Sequence, residues 1–365
     1  MSNNLAIAEV ENVTNAYLEE LWSLPKPNKI SYKFKLASLF SGGGGLDVGL
    51  ALAGFEPRFS SDVYEQHCQT LSHNFLRDVA LVADVSNLTG DKIREVSGVE
   101  HFDLLCGGPP CQSFSILGRR GSFDDPRGKL VFEYVRLINE LKPKSFLFEN
   151  VPGLLTINGG KDWKELKAYF QGETGYSFSD SVLNAADFGI PQIRKRIIGV
   201  GLQNSKQQFA FPKPTFQDPN SKLGIFDDNL PEWRPSKMAL VEMDDLPNHR
   251  RRIHGDRVSG RYALVEPGKR DKTDHTDRVH PDRPSGTVLV GSQAGGGRPF
   301  IHPWEPRHLT IREAARLQSF PDWYEFQSTE TWQFRQVGNA VPPLLAKAIG
   351  DEIAKILSNQ VSSDE

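Results

Sequence analysis

Short apolar runs alternate with amphipathic helical patterns between about residues 35 and 201, and no other feature constrains the fold so strongly. Such alternation is typical of βαβ units, in which parallel strands form one sheet with helices packed on its faces. We therefore predict an α/β fold built on a Rossmann-like sheet. The strand candidates are residues 36–40, 59–63, 104–106, 145–149 and 197–200, and the clearest helix candidates are residues 130–141 and 163–170.

The second half of the chain has a different character. From about Pro212 to about His308, prolines, aromatic residues and charges mix without clear periodicity. Helical patterns return at residues 310–318 and 343–357, which indicates a core domain interrupted by an irregular insert. We divide the chain into an N-terminal extension (1–32), a core (33–212), an insert (213–309) and a segment that returns to the core (310–365).

The N-terminal extension gives a weaker pattern. Residues 5–22 could form a short amphipathic helix, which the prolines at positions 25 and 27 would end. The interpretation that we favour is a loosely attached terminal arm.

Composition limits the class of protein. The chain has 365 residues, a formal net charge of -3 and three cysteines, an odd number that argues against a disulfide framework and favours a reducing compartment. No leader and no membrane-length apolar stretch is evident, so we expect a cytoplasmic protein without membrane association. The insert histidines have no cysteine nearby, and we predict no metal site. Any nucleic-acid surface must be local, because the net charge is small.

The segment Pro109-Pro110-Cys111-Gln112 places a thiol where a structural cysteine is least expected. It follows an apolar run and two glycines that end a buried strand, and the two prolines stiffen the backbone before the sulfur. A cysteine on a rigid turn at the carboxyl end of a strand is well placed to act as a nucleophile. The alternative, a small apolar residue that fills a gap, suits Cys106 and fits Cys111 poorly.

Residues 39–47 (LFSGGGGLD) form a glycine-rich turn between the first strand and a helix. This pattern alone does not separate dinucleotides, nucleotides and S-adenosylmethionine, although its spacing departs from the dinucleotide fingerprint. Asp62 ends the second strand, where a carboxylate would bind ribose hydroxyls, and Asp84 ends the next apolar stretch, where it could accept from an adenine amino group. Each acid alone could be a capping or surface residue. Together the three features favour an adenosine-containing ligand.

Glu149 ends a run of large apolar residues, so its carboxyl group should be desolvated, with a raised pKa, and could donate a proton near neutral pH. A salt-bridged core acid is the alternative. In residues 192–196 (QIRKR), an extended backbone would direct Gln192, Arg194 and Arg196 to one side. Two guanidiniums on one face suit an anion, a substrate carbonyl or the Glu149 carboxylate, and a solvated basic edge is the alternative.

Taken in order, six segments resemble the motifs of the C5-cytosine DNA methyltransferases, and the resemblance covers about residues 35–201 and 283–350. The segments are residues 39–45 (LFSGGGG), 107–115 (GGPPCQSFS), 149–151 (ENV), 192–196 (QIRKR), 312–321 (REAARLQSFP) and 336–343 (QVGNAVPP). On their number and order the chain is identified as a member of the bacterial modification type. The resemblance implies an S-adenosylmethionine-dependent methyltransferase domain, with the insert as a smaller, irregular DNA-recognition domain.

The implied reaction transfers a methyl group from S-adenosylmethionine to C5 of a cytosine in double-stranded DNA. The Cys111 thiolate adds to C6, which makes C5 nucleophilic, and Glu149 protonates or hydrogen-bonds N3. The resemblance assigns Arg196 to the base carbonyl, with Arg194 in support. Because the target base cannot be reached inside a duplex, it must be flipped out.

The resemblance also implies cofactor contacts. Phe40 packs on the adenine, Asp62 binds the ribose and Asp84 faces the adenine amino group, while Val63 stands where many family members carry a large aromatic residue. The expected cofactor residues are Phe40, Ser41, Gly42, Gly43, Gly44, Gly45, Leu46, Asp62, Val63, Asp84, Val85, Pro110, Leu130, Asn339 and Val341.

Two segments are candidates for DNA contact. Glycines and arginines in residues 112–129 suit a loop that closes over DNA, although a basic loop without a gating role is the alternative. Residues 248–257 (NHRRRIHGDR) are the strongest candidate for phosphate or guanine contacts, with a solvated charge run as the alternative. The expected DNA-binding residues are Gln112, Arg119, Arg120, Arg127, Gln192, Arg250, Arg251, Arg252 and Arg257.

Three other functions would explain parts of the sequence. A transfer-RNA methyltransferase shares this fold and catalytic set, but its nearly reader-free architecture fits the insert less well. A catalytically silent DNA-binding regulator would not need intact Cys111, Glu149 and Arg196. A nicotinamide dehydrogenase explains none of the later motifs. We expect a monomer whose partner is double-stranded DNA, and any cognate restriction endonuclease would act without forming a physical complex with it.

Overall fold

The computed structural model describes residues 15–75, 79–110, 129–203, 207–220, 229–241, 245–289 and 300–361. Its strands are β1 (Phe34–Leu39), β2 (Phe55–Asp62), β3 (Ala80–Val82), β4 (Leu104–Gly107), β5 (Ser145–Asn150), β6 (Ser177–Asn184) and β7 (Lys195–Leu202). They form one seven-stranded sheet in the order β3-β2-β1-β4-β5-β7-β6. The five predicted strands are present as β1, β2, β4, β5 and β7, whereas β3 and β6 are additional.

The sheet is parallel from β3 to β5, and β7 runs antiparallel to both of its neighbours. Strand β1 lies between β2 and β4, so that Leu39 is paired with Ser61 on one side and with Gly107 on the other. The strand order reverses at this position. In open α/β sheets, ligands bind beyond the carboxyl ends of the strands at such a reversal.

Ten α-helices occur in the described part of the chain. They are α1 (Ala16–Ser23), α2 (Gly45–Leu52), α3 (Glu65–Phe75), α4 (Gly90–Ser97), α5 (Lys129–Leu141), α6 (Lys161–Thr174), α7 (Asp256–Ala263), α8 (Ile311–Leu317), α9 (Glu330–Asn339) and α10 (Pro343–Val361). The helices predicted at residues 130–141, 163–170, 310–318 and 343–357 correspond to α5, α6, α8 and α10. Helix α8 begins with a capping box, in which Thr310 and Glu313 satisfy each other's backbone donors. None of these helices is long and apolar enough to cross a bilayer.

The sheet separates two apolar cores. Alternate residues of β1 point to opposite faces, so that Leu36 joins one core and Ala37 the other. The first core contains residues of α2 and α10, such as Val48 and Ile349, and the second contains residues of α5 and α6, such as Val135. The C-terminal helix α10 therefore packs into the first core together with α2.

The N-terminal helix is firmly attached. Tyr17, Leu18 and Leu21 of α1 are completely buried and belong to the first core. The Asn15 side-chain amide also donates a 2.8 Å hydrogen bond to the carbonyl oxygen of Met238, in the insert. The prediction of a loosely attached arm is therefore wrong for residues 15–32, because α1 buries its apolar face against surfaces from distant parts of the sequence.

The insert has little regular structure, as its composition predicts. Its regular elements among the described residues are α7 and the helical turn Ser236–Met238. Several insert residues, including Leu240 and Val279, belong to the first core of the main domain. Tyr262, Val265 and Ile301 instead form a small cluster of their own. The insert thus contributes residues to the first core of the main domain and also has a small core of its own.

Candidate active site

Three functional segments meet at the carboxyl edge of the sheet. The glycine loop, residues 40–44, follows β1, and the turn Gly108-Pro109-Pro110 follows the adjacent strand β4. Strand β5 lies next to β4, with Gly107 paired to Phe148, so Glu149 comes directly after that pair. The strand order therefore places the loop, the turn before Cys111 and Glu149 side by side at the reversal point.

The glycine loop has a demanding backbone. Gly42 and Gly44 have φ angles of +54° and +78°, and Phe40, which has a side chain, has a φ of 55°. A bulky residue with positive φ is uncommon and costs on the order of 1–3 kcal/mol. The surrounding packing must therefore hold Phe40 in this conformation, which is typical of a residue at a ligand site.

Packing within the protein explains three of the four glycines. A Cβ atom on Gly43 would lie 2.8 Å from the Gln336 Cβ atom, and one on Gly44 would clash with the Tyr324 hydroxyl group. A Cβ atom on Gly45 would likewise collide with the backbone of the returning segment. These glycines let the returning segment lie directly on the loop.

Gly42 has a different environment. The nearest atom to a Cβ atom at this position would be the Phe40 carbonyl oxygen, 3.9 Å away, so its outer side has room for a ligand. Its backbone N–H donates a 2.9 Å hydrogen bond to Asp62 Oδ2. The glycine loop is therefore hydrogen-bonded directly to Asp62, the carboxylate that is expected to bind the ribose.

Asp62 is buried and held by several donors. Besides the Gly42 N–H, the Tyr64 N–H donates to Oδ1 at 3.0 Å, and His67 Nδ1 lies 3.0 Å from the same oxygen. Burial alone would raise the pKa of Asp62, but the His67 contact and the backbone donors outweigh it and lower that pKa below its ordinary value. The group is therefore a carboxylate at neutral pH, able to accept hydrogen bonds from hydroxyl groups.

The other expected cofactor residues fall into two groups. Those with partly or fully exposed side chains or backbones are Phe40, Gly42, Leu46, Val63, Asp84, Pro110, Leu130 and Asn339, and those that are buried are Ser41, Gly43, Gly44, Gly45, Val85 and Val341. Asp84 caps the turn Val85–Asn87 by accepting a 2.9 Å hydrogen bond from the Ser86 N–H. Its bonds to Ser86 lower its pKa. Asp84 is thus an exposed carboxylate at the edge of the site.

Glu149 and Arg196 form a nearly buried pair. Arg196 Nε lies 2.9 Å from Glu149 Oε1, and the two side chains are 11% and 13% exposed. Burial raises the pKa of Glu149 above its ordinary value, although Arg196 and Arg194 act in the opposite direction. The structure thus shows the desolvation expected of Glu149 together with the salt bridge that the alternative interpretation expected. The pair contains a carboxyl group that can hold a proton closer to neutral pH than an exposed glutamate can.

The turn before Cys111 is fixed against β5. The Asn150 side-chain amide donates a 2.9 Å hydrogen bond to the Pro109 carbonyl oxygen. Gly108 lies so close to Glu149 that an added Cβ atom would be 2.7 Å from Glu149 Oε2. The backbone that leads into Cys111 therefore runs directly past the Glu149 carboxyl group.

Cys111 itself lies outside the described residues, as do Gln112, Arg119, Arg120 and Arg127. The two described cysteines are both buried. Burial raises the pKa of the Cys68 thiol to about 11 and raises that of Cys106 further. Both thiols are therefore protonated at neutral pH and poorly suited to nucleophilic attack.

The three residues of the QIRKR segment that were expected to share one face do so, but their side chains have different partners. Arg194 is completely buried, and its guanidinium donates to the backbone carbonyls of Val288 at 3.3 Å and Gly338 at 2.9 Å. Burial lowers its pKa. Arg194 thus holds the end of the insert and the end of α9 against β7, beside the Glu149–Arg196 pair.

Gln192 is also completely buried. Its amide nitrogen donates to the Leu317 carbonyl oxygen and to Gln318, each at 3.0 Å, and its amide oxygen accepts from the Val288 N–H at 3.0 Å. This placement contradicts the expected DNA contact of Gln192. The alternation of the segment gave the shared side correctly, but that side faces the protein interior.

Arg250, Arg251 and Arg252 lie on one segment of the insert, between His249 and His254, and Arg257 follows on α7. Arg250, Arg251, Arg252 and Arg257 are exposed, and the Arg250 side chain is 87% exposed. The segment is anchored before these residues, where His249 Nδ1 lies 3.0 Å from the Thr310 hydroxyl oxygen. It is anchored after residue 253 as well, where the His254 ring packs edge-on against His308 with ring centres 4.6 Å apart.

The sequence analysis assigns no individual role to two residues of the site. Asn150 follows Glu149 directly, and its contact with the turn after β4 could have been suspected from that position. His67 lies on α3 and carries no local signal, because its contact with Asp62 depends on how the turn after β2 directs the helix. Among the described residues, no group of three or more metal-binding side chains comes together.

Comparison with solved structures supports the class of protein. A prophage-encoded E. coli protein assigned as a DNA modification methyltransferase superposes with a TM-score of 0.74 at 26% identity, and the match covers 89% of this chain and all of that one. The S. pombe Dnmt2 methyltransferase gives a TM-score of 0.63 at 22% identity, over 90% of this chain and 99% of that one, and so agrees in fold. The topology of the sheet and the likeness to these solved structures thus define a Rossmann-like methyltransferase fold.

Sequence comparison defines the family. The family model of the C-5 cytosine-specific DNA methylases matches residues 34–355. The chain is 36% identical to the Type II methyltransferase M.XorII of Xanthomonas oryzae pv. oryzae, over 87% of this chain and 84% of that protein. It is 35% identical to the Type II methyltransferase M1.HphI of Haemophilus parahaemolyticus, over 88% and 87% of the two chains. The chain belongs to the C-5 cytosine-specific DNA methylase family and is a DNA cytosine-5-methyltransferase.

Proposed function

We propose that the protein transfers the methyl group of S-adenosylmethionine to C5 of a cytosine in a specific double-stranded DNA sequence, after the base has been flipped out of the helix. The observation that carries this proposal is the nearly buried Glu149–Arg196 pair beside the turn that leads into Cys111. A desolvated acid next to a candidate nucleophile suits a reaction that needs covalent attack and proton donation on the same base.

The residues around the glycine loop fit an adenosine group. The Asp62 carboxylate suits the ribose hydroxyls, and the exposed Asp84 carboxylate suits the adenine amino group. Val63 is 56% exposed at the end of β2, next to Asp62, and so offers an apolar surface that an adenine ring and the Phe40 side chain would cover. When bound, S-adenosylmethionine supplies a methyl group on a positively charged sulfur. The protein residues orient that group toward the base.

Cys111 is proposed as the nucleophile. Its thiolate attacks C6 of the cytosine, the C5–C6 double bond opens, and C5 becomes nucleophilic enough to take the methyl group, whose bond to the sulfonium sulfur would break to release S-adenosylhomocysteine. Removal of the C5 proton then restores the double bond and releases the thiol. The buried, protonated thiols of Cys68 and Cys106 leave Cys111 as the cysteine suited to this role.

Glu149 is proposed as the acid at N3. Attack at C6 places electron density on the ring, and a proton or strong hydrogen bond at N3 stabilises it. Arg196, which already pairs with Glu149, would contact the base carbonyl oxygen from the same side. Arg194 is buried behind this pair and holds the surrounding backbone in place.

Residues 213–309 are proposed as the target-recognition domain, and residues 33–212 with 310–365 as the catalytic domain. The exposed arginines at positions 250, 251, 252 and 257 are proposed to contact DNA phosphates or guanine edges. A DNA substrate is favoured over transfer RNA because the matching family is that of the DNA methylases. We propose that the protein acts as a monomer in the cytoplasm, on nucleoid DNA.

The relatives named above are Type II methyltransferases, so we propose that this chain is the modification enzyme of a restriction-modification system. A cognate endonuclease would recognise the same sequence independently.

The proposal is tested by bisulfite sequencing of a plasmid from cells that express the protein. Protected cytosines should occur at every copy of one short sequence, and total transfer RNA from the same cells should carry no added C5-methylcytosine. The Cys111→Ser variant, produced at the same level, should leave the plasmid unmodified. An unmodified plasmid from cells with folded wild-type protein would contradict the proposal.

A further inference from the structure

A buried imidazole contacts the carboxylate that we propose for the cofactor ribose. His67, on α3, is 3% exposed, and its Nδ1 atom lies 3.0 Å from Asp62 Oδ1. The backbone N–H groups of Gly42 and Tyr64 each donate to one carboxylate oxygen of Asp62. The carboxylate is thus held from the glycine loop, from the strand end and from α3.

The imidazole ring is held in a frame of aromatic residues. The rings of Tyr64 and Trp332 meet it edge-on, with centre-to-centre distances of 5.3 Å and 5.8 Å. The Arg335 guanidinium lies over both of these rings, 4.6 Å from the centre of Tyr64 and 4.9 Å from that of Trp332. Because Trp332 and Arg335 belong to α9, the returning segment of the chain fixes the orientation of a ring that contacts Asp62.

Packing alone does not account for a histidine at this position. Both ring nitrogens of His67 are buried: Nε2 has no polar partner among the described residues, and the contact of Nδ1 with Asp62 Oδ1, at 3.0 Å, is close without the direction of a regular hydrogen bond. A buried polar atom without a partner lowers stability, whereas a phenyl ring in the same aromatic frame would carry no such cost. The contact between Nδ1 and Asp62 supplies a reason for the imidazole.

We propose that His67 is a positioning residue for the cofactor: its buried imidazole, through the close contact of Nδ1 with Oδ1, holds the Asp62 carboxylate in the orientation that accepts hydrogen bonds from the ribose hydroxyls. Partners that orient a ligand-binding side chain in this way strongly affect affinity at metal sites, and the same physical argument applies to a carboxylate that binds hydroxyl groups. The inference rests on the proposed function, because it assigns the ribose of S-adenosylmethionine to Asp62.

The test compares two ligands and two variants of equal size. The ligands are S-adenosylhomocysteine, which cannot react, and its 2′,3′-dideoxy analogue, which lacks both ribose hydroxyls. The variants are His67→Asn, which keeps an N–H donor near the Nδ1 position, and His67→Leu, which has nearly the same shape and no donor. Dissociation constants are measured by titration calorimetry on the full chain, and His73→Leu, a surface change on the same helix, is the control.

We expect His67→Leu to weaken S-adenosylhomocysteine binding about tenfold, because the polar contact that orients the Asp62 carboxylate is lost, and to leave the dideoxy analogue unaffected. The dissociation constant of His67→Asn for S-adenosylhomocysteine should stay within about threefold of the wild-type value, and that of His73→Leu should equal the wild-type value. If the leucine variant does not fold, His67→Phe, which preserves a ring in the aromatic frame, makes the same comparison.

Two results would overturn the inference. One is unchanged S-adenosylhomocysteine affinity in His67→Leu, and the other is an equal loss for both ligands, which would indicate a general packing role. A wild-type protein that binds neither ligand would overturn the proposed cofactor itself. Wild-type binding of S-adenosylhomocysteine without an effect of the leucine variant would overturn only the role of His67.

Discussion

The Asn150 side-chain amide donates a 2.9 Å hydrogen bond to the Pro109 carbonyl oxygen, which ties the end of β5 to the turn that leads into Cys111. Gly108, in the same turn, leaves no room for a side chain beside Glu149. The turn that precedes Cys111 and the strand that carries Glu149 are therefore tied directly to each other.

Replacement of Asn150 by alanine should loosen this turn without affecting the cofactor site. We expect kcat to fall about tenfold or more, since small displacements of a reacting group are costly, and the affinity for S-adenosylhomocysteine to stay unchanged. Steady-state methylation assays and calorimetry measure the two quantities. Asn28→Ala, on an exposed turn, is the control. A change in cofactor affinity with normal kcat would mean that Asn150 acts elsewhere.

Replacement of Glu149 by glutamine keeps the shape of the side chain and removes its acidic proton. The rate of methyl transfer should fall by about 10²-fold or more, the usual range for general acid catalysis, with little change in cofactor affinity. Glu165→Gln, an exposed change on α6, should have no effect. A normal rate combined with lost cofactor binding would contradict this role and would mean that Glu149 acts in cofactor binding.

The pH dependence of the reaction should also reflect Glu149. Burial raises the pKa of this group, so its acid form persists to higher pH than that of an exposed glutamate. Because the acid form is the active one, its contribution is present below this pKa and is lost as the pH rises through it. A plot of kcat/KM against pH should therefore show a falling limb in the wild type that is missing in Glu149→Gln. If the profiles of wild type and Glu149→Gln fell identically, the group that titrates would not be Glu149.

Replacement of Arg250, Arg251 and Arg252 by alanine should weaken DNA binding and reduce its salt dependence, because released counterions scale with the number of phosphate contacts. If one of the three arginines reads a guanine edge, its single variant should relax specificity at one base pair, at a cost of about 1–3 kcal/mol. Binding of S-adenosylhomocysteine should not change.

The matched control removes three exposed lysines of the catalytic domain, at positions 142, 161 and 164. DNA affinity is measured at two salt concentrations for wild type and both triple variants. Equal affinities and slopes for the wild type and the arginine variant would remove this segment from the DNA interface.

The insert should lose stability in mild acid because of a buried histidine. His302 is 4% exposed, and burial lowers its pKa from 6.5 to about 4. The unfolded chain therefore binds more protons between these values, so stability is complete above about pH 6.5 and decreases as the pH falls toward 4. The loss near pH 5 should be on the order of 1–2 kcal/mol. Thermal unfolding near pH 7.5 and pH 5 measures it, and His302→Asn should show a smaller difference than wild type, whereas an equal difference would contradict the assignment.

The sequence predicts the sheet well where apolar runs are continuous, as in β1 and β5, because buried parallel strands need such runs. Strand β6 (Ser177–Asn184) was missed because it mixes serines and an aspartate with apolar residues. The docking of α1 was missed for another reason. The Tyr17 hydroxyl group donates to the Arg316 carbonyl oxygen, 299 residues away, and no local pattern encodes such a contact.

The candidate site likewise contains features that the sequence predicts and features that it does not. Asp62 and Glu149 were predicted because each ends a strand at the ligand-binding edge, a position that sequence pattern can locate. Gln192 was assigned to DNA because alternation fixes which residues share a side and not whether that side faces solvent. The contact between His67 and Asp62 depends on the path of a turn and on an aromatic frame contributed by α9, and sequence spacing describes neither.

Trapping the enzyme on its substrate tests the proposed covalent bond between Cys111 and the target cytosine. A duplex that carries 5-fluorocytosine at the methylated position is incubated with the protein and S-adenosylmethionine, and the products are separated under denaturing conditions. The C5 fluorine cannot leave as a proton does, so the adduct should persist, with the DNA attached to the peptide that contains Cys111 in mass spectrometry. Cys68→Ser and Cys106→Ala should still form the complex, and Cys111→Ser should not. A complex that persists in Cys111→Ser, or an active wild-type enzyme that forms none, would contradict the account.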